Sequence, residues 1–185
     1  MEKIPYRERK VPDMNEVMKN LLTRRSVRAF RPDQVRDKDL EQILQAGLYA
    51  PSAMNRQSWQ FTVVQGEDSR RKLTEAMQKA LNNPSYNFYQ PPTLILVSNV
   101  RENSNAFADT GCAMENMFLA AHSLGLATVW INQLKDTCDL PEVRKVLDEF
   151  GVPANHIVCA TVALGYAKDA LPEPKERTGV VKYVR

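Results

Sequence analysis

Residues 24–28 read RRSVR, and with Arg31 they place four guanidinium groups around one hydroxyl, that of Ser26. A guanidinium is always charged and holds phosphate through paired N–H donors of fixed geometry. Three explanations compete: a solvated charged face, a strip that tracks nucleic acid, or a pocket for one phosphorylated small molecule. The charge distribution separates them. Residues 7–36 carry nine Lys/Arg against four Asp/Glu, and residues 168–185 carry five against three, while the whole chain is only +3. A nucleic-acid binder is usually basic along a whole groove. Two basic clusters at opposite ends of a nearly neutral body suit a smaller anion.

A second polar segment, APSAMNRQSWQF at 50–61, combines Pro51, Ser52, Ala53, Asn55 and Gln57 with Trp59 and Phe61. It reads either as an ordinary loop from helix to strand or as a ligand-facing turn. A flavin mononucleotide site is one candidate, to which RRSVR offers forked donors, a hydroxyl and a further arginine. The terminal phosphate needs positive charge, the ring needs flat contact, and a cation near the ring's N1 and C2 carbonyl stabilises the negative charge of the reduced form.

Other chemistry lacks its residues. No two of the seven glycines form GxG, so neither the dinucleotide fingerprint nor the P-loop occurs, and there is no GxSxG elbow. His122 and His156 have no HExxH or CxxH neighbours, so a metal site is not expected. Asp136, Asp139, Asp148 and Glu149 read as solvated acids. Cys112, Cys138 and Cys159 are odd in number, have no CxxC spacing and read as reduced, buried thiols of a cytoplasmic protein. The charged N-terminus and the short apolar runs argue against a secretory signal or a membrane span.

These residues need a scaffold, and hydrophobic period supplies its outline. Met14, Val17, Met18, Leu21 and Leu22 predict a first helix capped by Asp13, ending where the arginines begin. Asp37 to Tyr49 predicts a second, stopped before Pro51. Strands are expected at 59–65, 93–99, 127–131 and 156–165, with helices at 69–81, 109–124 and 141–150. The helix at 109–124 is apolar around much of its circumference and ends at Gly125, so it should lie at the centre. NNPSYNFYQPP reads as an exposed loop. The tail 168–185 closes on VVKYV, a strand-like run that would pair in its own sheet or reach another subunit. At 185 residues the chain is sized for one domain burying about 70% of its unfolded surface.

RRSVRAF (24–30), APSAMNRQSWQF (50–61), DTGCAMENMFLAAHSLGLATVWI (109–131) and LPEVRKVLDEFGVP followed by ALGYAKDALPEPKER, in this order and spacing, resemble the FMN-dependent nitroreductase family over nearly the whole length. The resemblance implies an α+β fold of three layers, α/β/α, with a mixed, mainly antiparallel sheet between helices. It implies an interlocked homodimer with two FMN sites at the subunit interface. By position, Arg24, Arg25, Ser26 and Arg28 would line one FMN, Arg24 and Ser26 toward phosphate and ribityl and Arg28 near N1. Pro51, Ser52, Ala53, Met54 and Asn55 of the other subunit would cover the ring. Backbone at Val129, Trp130, Ile131 and Asn132 would meet the ring edge, and Lys175 and Arg177 would close on the phosphate, the tail extending onto the partner. Members also place a loop asparagine near the flavin, here Asn82, Asn83 or Asn87. The implied activity is NAD(P)H oxidation with alternating transfer through flavin N5 to a small-molecule acceptor, nitroaromatic or quinone-like. No partner nucleic acid or membrane is implied. Alternatives on the same fold are a flavin-binding or regulatory protein without turnover and a reductive dehalogenase.

Overall fold

The run TLILVSN has no charged residue, and in the computed structural model, which describes residues 14–185, it lies at the heart of a four-stranded sheet. The strands are β1 (Trp59–Val64), β2 (Thr93–Val100), β3 (Ala127–Ile131) and β4 (His156–Gly165), ordered β1-β2-β4-β3 with every pairing antiparallel. A parallel contribution enters only where Ser26 bridges Thr128 on the outer side of β3.

Alternation along β2 sends Leu94 and Leu96 to one face and Ile95 and Val97 to the other. The first face packs on Leu73 and Met77 of α3 (Glu67–Ala80), Leu134 of α5 (Gln133–Thr137), and Val143 and Leu147 of α6 (Pro141–Glu149). The second packs on Ile43 of α2 (Asp37–Leu48) and on Met114, Met117 and Phe118 of α4 (Ala106–Ser123). The result is the expected three layers. In β4 the register shifts between Val97↔Ala160 and Ser98↔Val158, leaving Cys159 unpaired. That bulge reverses the alternation, so Val158 joins the first core while Ala160, Val162 and Leu164 join the second.

Helix α1 (Glu16–Thr23) is capped by Asn15, whose side chain accepts from the Met18 N–H at 2.9 Å. The expected cap, Asp13, lies outside the described residues; the side-chain oxygen that meets the first turn belongs to Asn15. No residue of α1 is buried. Its polar side meets α4, with Asn20 Nδ2 donating to the Leu119 carbonyl at 2.9 Å, and its apolar stripe faces outward.

The arginine segment follows as a strap. Val27 N–H donates to the Thr128 carbonyl, Arg31 N–H to Tyr166, and Lys168 N–H to Ala29. Residues 26–31 thus lie along the ends of β3 and β4. Of the two alternatives for VVKYV, pairing in its own sheet does not occur: residues 170–185 are exposed and carry no secondary structure. An extended run without a neighbour in its own chain has nothing to pair its N–H and C=O groups except water. Cys138 and Cys159 are buried, whereas Cys112, expected inside, is exposed on α4. No helix among the described residues is long and apolar enough to cross a membrane.

Gly165 sits where the strap meets the sheet. A Cβ there would stand 2.6 Å from Pro92 Cδ and 3.2 Å from Phe30 Cδ1, and a proline ring yields little. Gly165→Ala is expected to cost about 1–3 kcal/mol, seen as a lower urea midpoint at constant slope; an unchanged midpoint would contradict this packing.

Candidate functional site

The strap holds four guanidiniums in four different environments. Arg24 lies 5.6 Å from the Phe118 ring centroid, with Nε 3.8 Å from a Glu115 carboxylate oxygen. Arg25 folds back, donating from Nη1 to the carbonyls of Leu22 at 2.7 Å and Arg24 at 2.9 Å, while its buried Nε has no partner. Arg28 is exposed and stands 5.8 Å from the Tyr89 ring centroid. Arg31 pairs with Asp33 at 2.9 Å. The exposed Ser26 hydroxyl completes a patch rich in donors and poor in acceptors, a setting for an anion.

Strand β3 forms the other wall. Val129 and Ile131 are 2% and 3% exposed and commit their side chains to the core, so only their backbone can meet a ligand. Trp130 turns outward at 37% exposure, edge-on to Phe118 at 6.3 Å, and its indole N–H donates to the exposed Asn132. His122 sits behind the arginines, its Nε2 2.8 Å from Thr23 Oγ1. That hydroxyl spends its proton on the Lys19 carbonyl at 2.7 Å, so His122 is the donor. Burial first, then Arg24 and Arg25, push its pKa below the ordinary 6.5.

The segment 51–57 is built separately, at the N-terminal end of α4. The buried carboxylate of Asp109 accepts from Ala53 N–H at 2.9 Å and from Asn103 Nδ2 at 3.0 Å; Asn103 donates to Ser58, and Ser58 to Asn99. Ser52 Oγ accepts from Gln57 N–H at 3.0 Å. These bonds hold Met54, Asn55 and Gln57 at φ of 55°, 53° and 47°, a region that non-glycine residues other than Asn and Asp seldom adopt. Pro51 and Asn55 are exposed, and Met54 is 85% exposed.

Of the residues singled out from the sequence, Arg24, Arg25 and Ser26 therefore share a patch with β3 and its continuation to Asn132. Residues 51–55 do not join them: no hydrogen bond, ion pair or ring contact links the two segments among the described residues. Their anchors on α4, Asp109 and Phe118, are nine positions and so about 14 Å apart. Lys175 and Arg177 are exposed in the tail, with no ion pair or hydrogen bond among the described residues. Among the loop asparagines, Asn83 Oδ1 accepts from Ser85, and Asn87 Oδ1 accepts from Tyr89 N–H at 2.9 Å. Asp109, Glu115, Phe118 and Tyr89 were not legible as site residues. An acid in a helix's first turn and an aromatic on an apolar face are too common to stand out.

A cleft of about 380 Å³ between α3 and residues 87–91 lies apart from this patch. Its cations are already spent: Arg70 donates to the Gln65 and Pro91 carbonyls, and Arg71 pairs with Asp68 and Glu75. Among the described residues no group of three or more His, Cys, Asp or Glu could hold a metal ion.

A model of the nitroreductase family matches residues 21–166. The chain is 32% identical over 160 residues to a protein of Archaeoglobus fulgidus named NADH dehydrogenase/NAD(P)H nitroreductase, covering 84% of this chain and 88% of that one. It is 29% identical over 175 residues to the NADPH-flavin oxidoreductase of Vibrio harveyi, covering 89% and 70%. A nitroreductase of Bacteroides fragilis, solved with bound FMN, superposes with a TM-score of 0.87 at 42% identity, covering 93% of this chain and 100% of that one.

Two outcomes follow from the local geometry. Asp109→Ala frees the Ala53 amide and strands the Asn103 side chain, so it should cost about 2–3 kcal/mol and make residues 51–57 the first site of protease cleavage; wild-type stability would refute the anchor. His156, buried with Nδ1 3.0 Å from Ser98 Oγ, is pushed below 6.5 by burial and by Arg144, as His122 is by its own neighbours. Depressed histidines give stability that is full above the unfolded value and lost as pH falls through the folded one. The melting temperature should fall from about pH 7 to about pH 5.5, and His122→Gln with His156→Gln should flatten that fall; an equally steep fall in the double variant would contradict the assignment.

Proposed function

The chain belongs to the nitroreductase family, and from that premise we propose that it is an FMN-dependent oxidoreductase drawing on NADH or NADPH and acting on nitroaromatic or quinone-like acceptors. The observation that carries the reading is the donor-rich strap beside β3. The buried, unpartnered Arg25 Nε, the Ser26 hydroxyl and the Arg24 guanidinium fit a phosphate and the start of its ribityl chain. Arg28, without an ion pair among the described residues, supplies positive charge for the N1 and C2 carbonyl edge. Bound FMN would supply alternating hydride transfer at N5, first from the nicotinamide and then to the acceptor.

The chain's own work is then binding and electrostatics. Trp130 gives flat contact, with the buried Phe118 behind it, and the backbone around Trp130 and Asn132 gives hydrogen-bonding groups along the ring edge. Neither histidine is placed as an acid or base: His122 faces Thr23, and His156 faces Ser98. Of the loop asparagines, Asn87 stands two residues before the ring that meets Arg28, its Oδ1 accepting from Tyr89 N–H.

The site is completed by a second copy. Residues 51–55 are held by hydrogen bonds at Ser52 and Ala53, expose Pro51, Met54 and Asn55, and lie too far along α4 to cover a ring held by their own protomer. Apolar surface lies open near both segments: Leu48, Tyr49 and Phe107 close in sequence to residues 51–55 or to their anchor Asp109, and the α1 stripe of Val17, Met18, Leu21 and Leu22 just before the strap. A surface of this kind marks an interface. In this reading residues 1–185 form one domain, its tail crosses to the partner, and Lys175 and Arg177 meet the phosphate there. Three unpaired cysteines, two of them buried, suit the cytoplasm.

The purified protein should be a yellow dimer that bleaches on adding NADH or NADPH. A colourless protein that takes up no FMN would remove the reading, and a monomer holding FMN tightly would remove the shared site. Arg28→Ala should lower the flavin's reduction potential and slow hydride uptake about tenfold or more; an unchanged potential with FMN bound would sink the role given to Arg28.

A further inference from the structure

Three successive non-glycine residues, Phe88, Tyr89 and Gln90, hold φ of 51°, 66° and 52°. Bulky side chains seldom adopt this region even singly, and a run of them persists only where the surroundings over-determine it. Here they do. The Phe88 side chain is buried in the core, with Tyr86 edge-on at 4.8 Å. Helix α3 grips both ends of the loop, Gln78 donating to the Tyr86 carbonyl at 2.9 Å and Arg70 to that of Pro91 at 3.0 Å. Asn87 closes the turn, its side chain accepting from Tyr89 N–H and its carbonyl from Gln90 N–H at 2.8 Å.

This strained, bolted turn presents one ring outward, and that ring meets Arg28. The other strap arginines are steadied by oxygens, two of them with a ring besides: Arg24 by Glu115 and Phe118, Arg25 by two carbonyls, Arg31 by Asp33 and Tyr166. Among the described residues Arg28 has no ion pair and no hydrogen bond. A carboxylate partner would cancel its charge and occupy its donors. A ring face restrains the guanidinium while leaving charge and N–H groups available.

We propose that Tyr89 is a positioning residue for Arg28, its ring fixing the guanidinium in the orientation that serves the flavin; this rests on the flavin role given to Arg28 above. Tyr89→Leu removes the ring face and Tyr89→Phe keeps it. In the FMN-loaded protein, Tyr89→Leu should weaken reduced FMN relative to oxidised FMN two- to fivefold, read as a lowered reduction potential, with Tyr89→Phe close to wild type. In an Arg28→Ala background Tyr89→Leu should add nothing. Should the leucine variant fail to fold, Tyr89→Met, also without a ring, carries the same comparison. The proposal falls if Tyr89→Leu leaves the potential at the wild-type value while Arg28→Ala lowers it. It also falls if Tyr89→Phe drops as far as Tyr89→Leu, or if the two losses add. A wild-type protein that takes no FMN, or an Arg28→Ala variant with unchanged potential, overturns the underlying reading and this proposal with it.

Discussion

Helix α4 runs through the middle of the second layer as a straight 18-residue rod, and both halves of the candidate site hang from it. At its N-terminal end the carboxylate of Asp109 fixes residues 51–57; farther along, Glu115, Phe118 and His122 receive Arg24 and Thr23. A helix has no freedom to shorten, because each residue adds about 1.5 Å. The arginine strap and residues 51–57 are therefore held apart within one chain by the element that organises them. In the proposed dimer a second copy of the chain brings them to one ligand, and the apolar surface left open on α1, at Tyr49 and at Met54 is what that copy would cover.

The sheet sets the strap's other coordinate. Because β3 is an edge strand, the Thr128 carbonyl is free to accept from Val27, and Gly165 lets Phe30 and Pro92 close over the end of β4. Each arginine then meets a different neighbour. The acids and carbonyls that steady Arg24, Arg25 and Arg31 use part of their donor capacity. Arg28 escapes this, and a nearly neutral body keeps the field local to the strap.

Most of the fold was legible from period and punctuation. The uninterrupted apolar run within TLILVSN, the helical spacing of apolar residues between Asp37 and Tyr49, and the glycine after α4 each placed an element within a few residues. What escaped has physical reasons. Helix α5 and the single turn Ala53–Asn55 are too short to show a period. The bulge at Cys159 depends on the neighbouring strand's register, which no local pattern encodes. Residues 180–184 have strand-like composition without a partner strand. The site was legible as composition, a basic strap and a small polar turn, whereas its supports were not. Asp109, Phe118 and Tyr89 act through contacts 56, 94 and 61 positions away in sequence, on Ala53, Arg24 and Arg28.

Whether residues 24–28 of one protomer and residues 51–55 of another form one FMN site is tested most directly by subunit mixing. One variant would carry Arg24→Glu with Ser26→Glu, the other Ser52→Trp; each alone should hold no FMN. When the two are unfolded together and reassembled at random, half of the dimers are mixed, and one of the two sites in each is intact. FMN content should then recover to about a quarter of the wild-type level, all of it in the mixed dimers. Mixed dimers that form and still hold no FMN would show that the site lies within a single protomer and that α4 does not divide it between two.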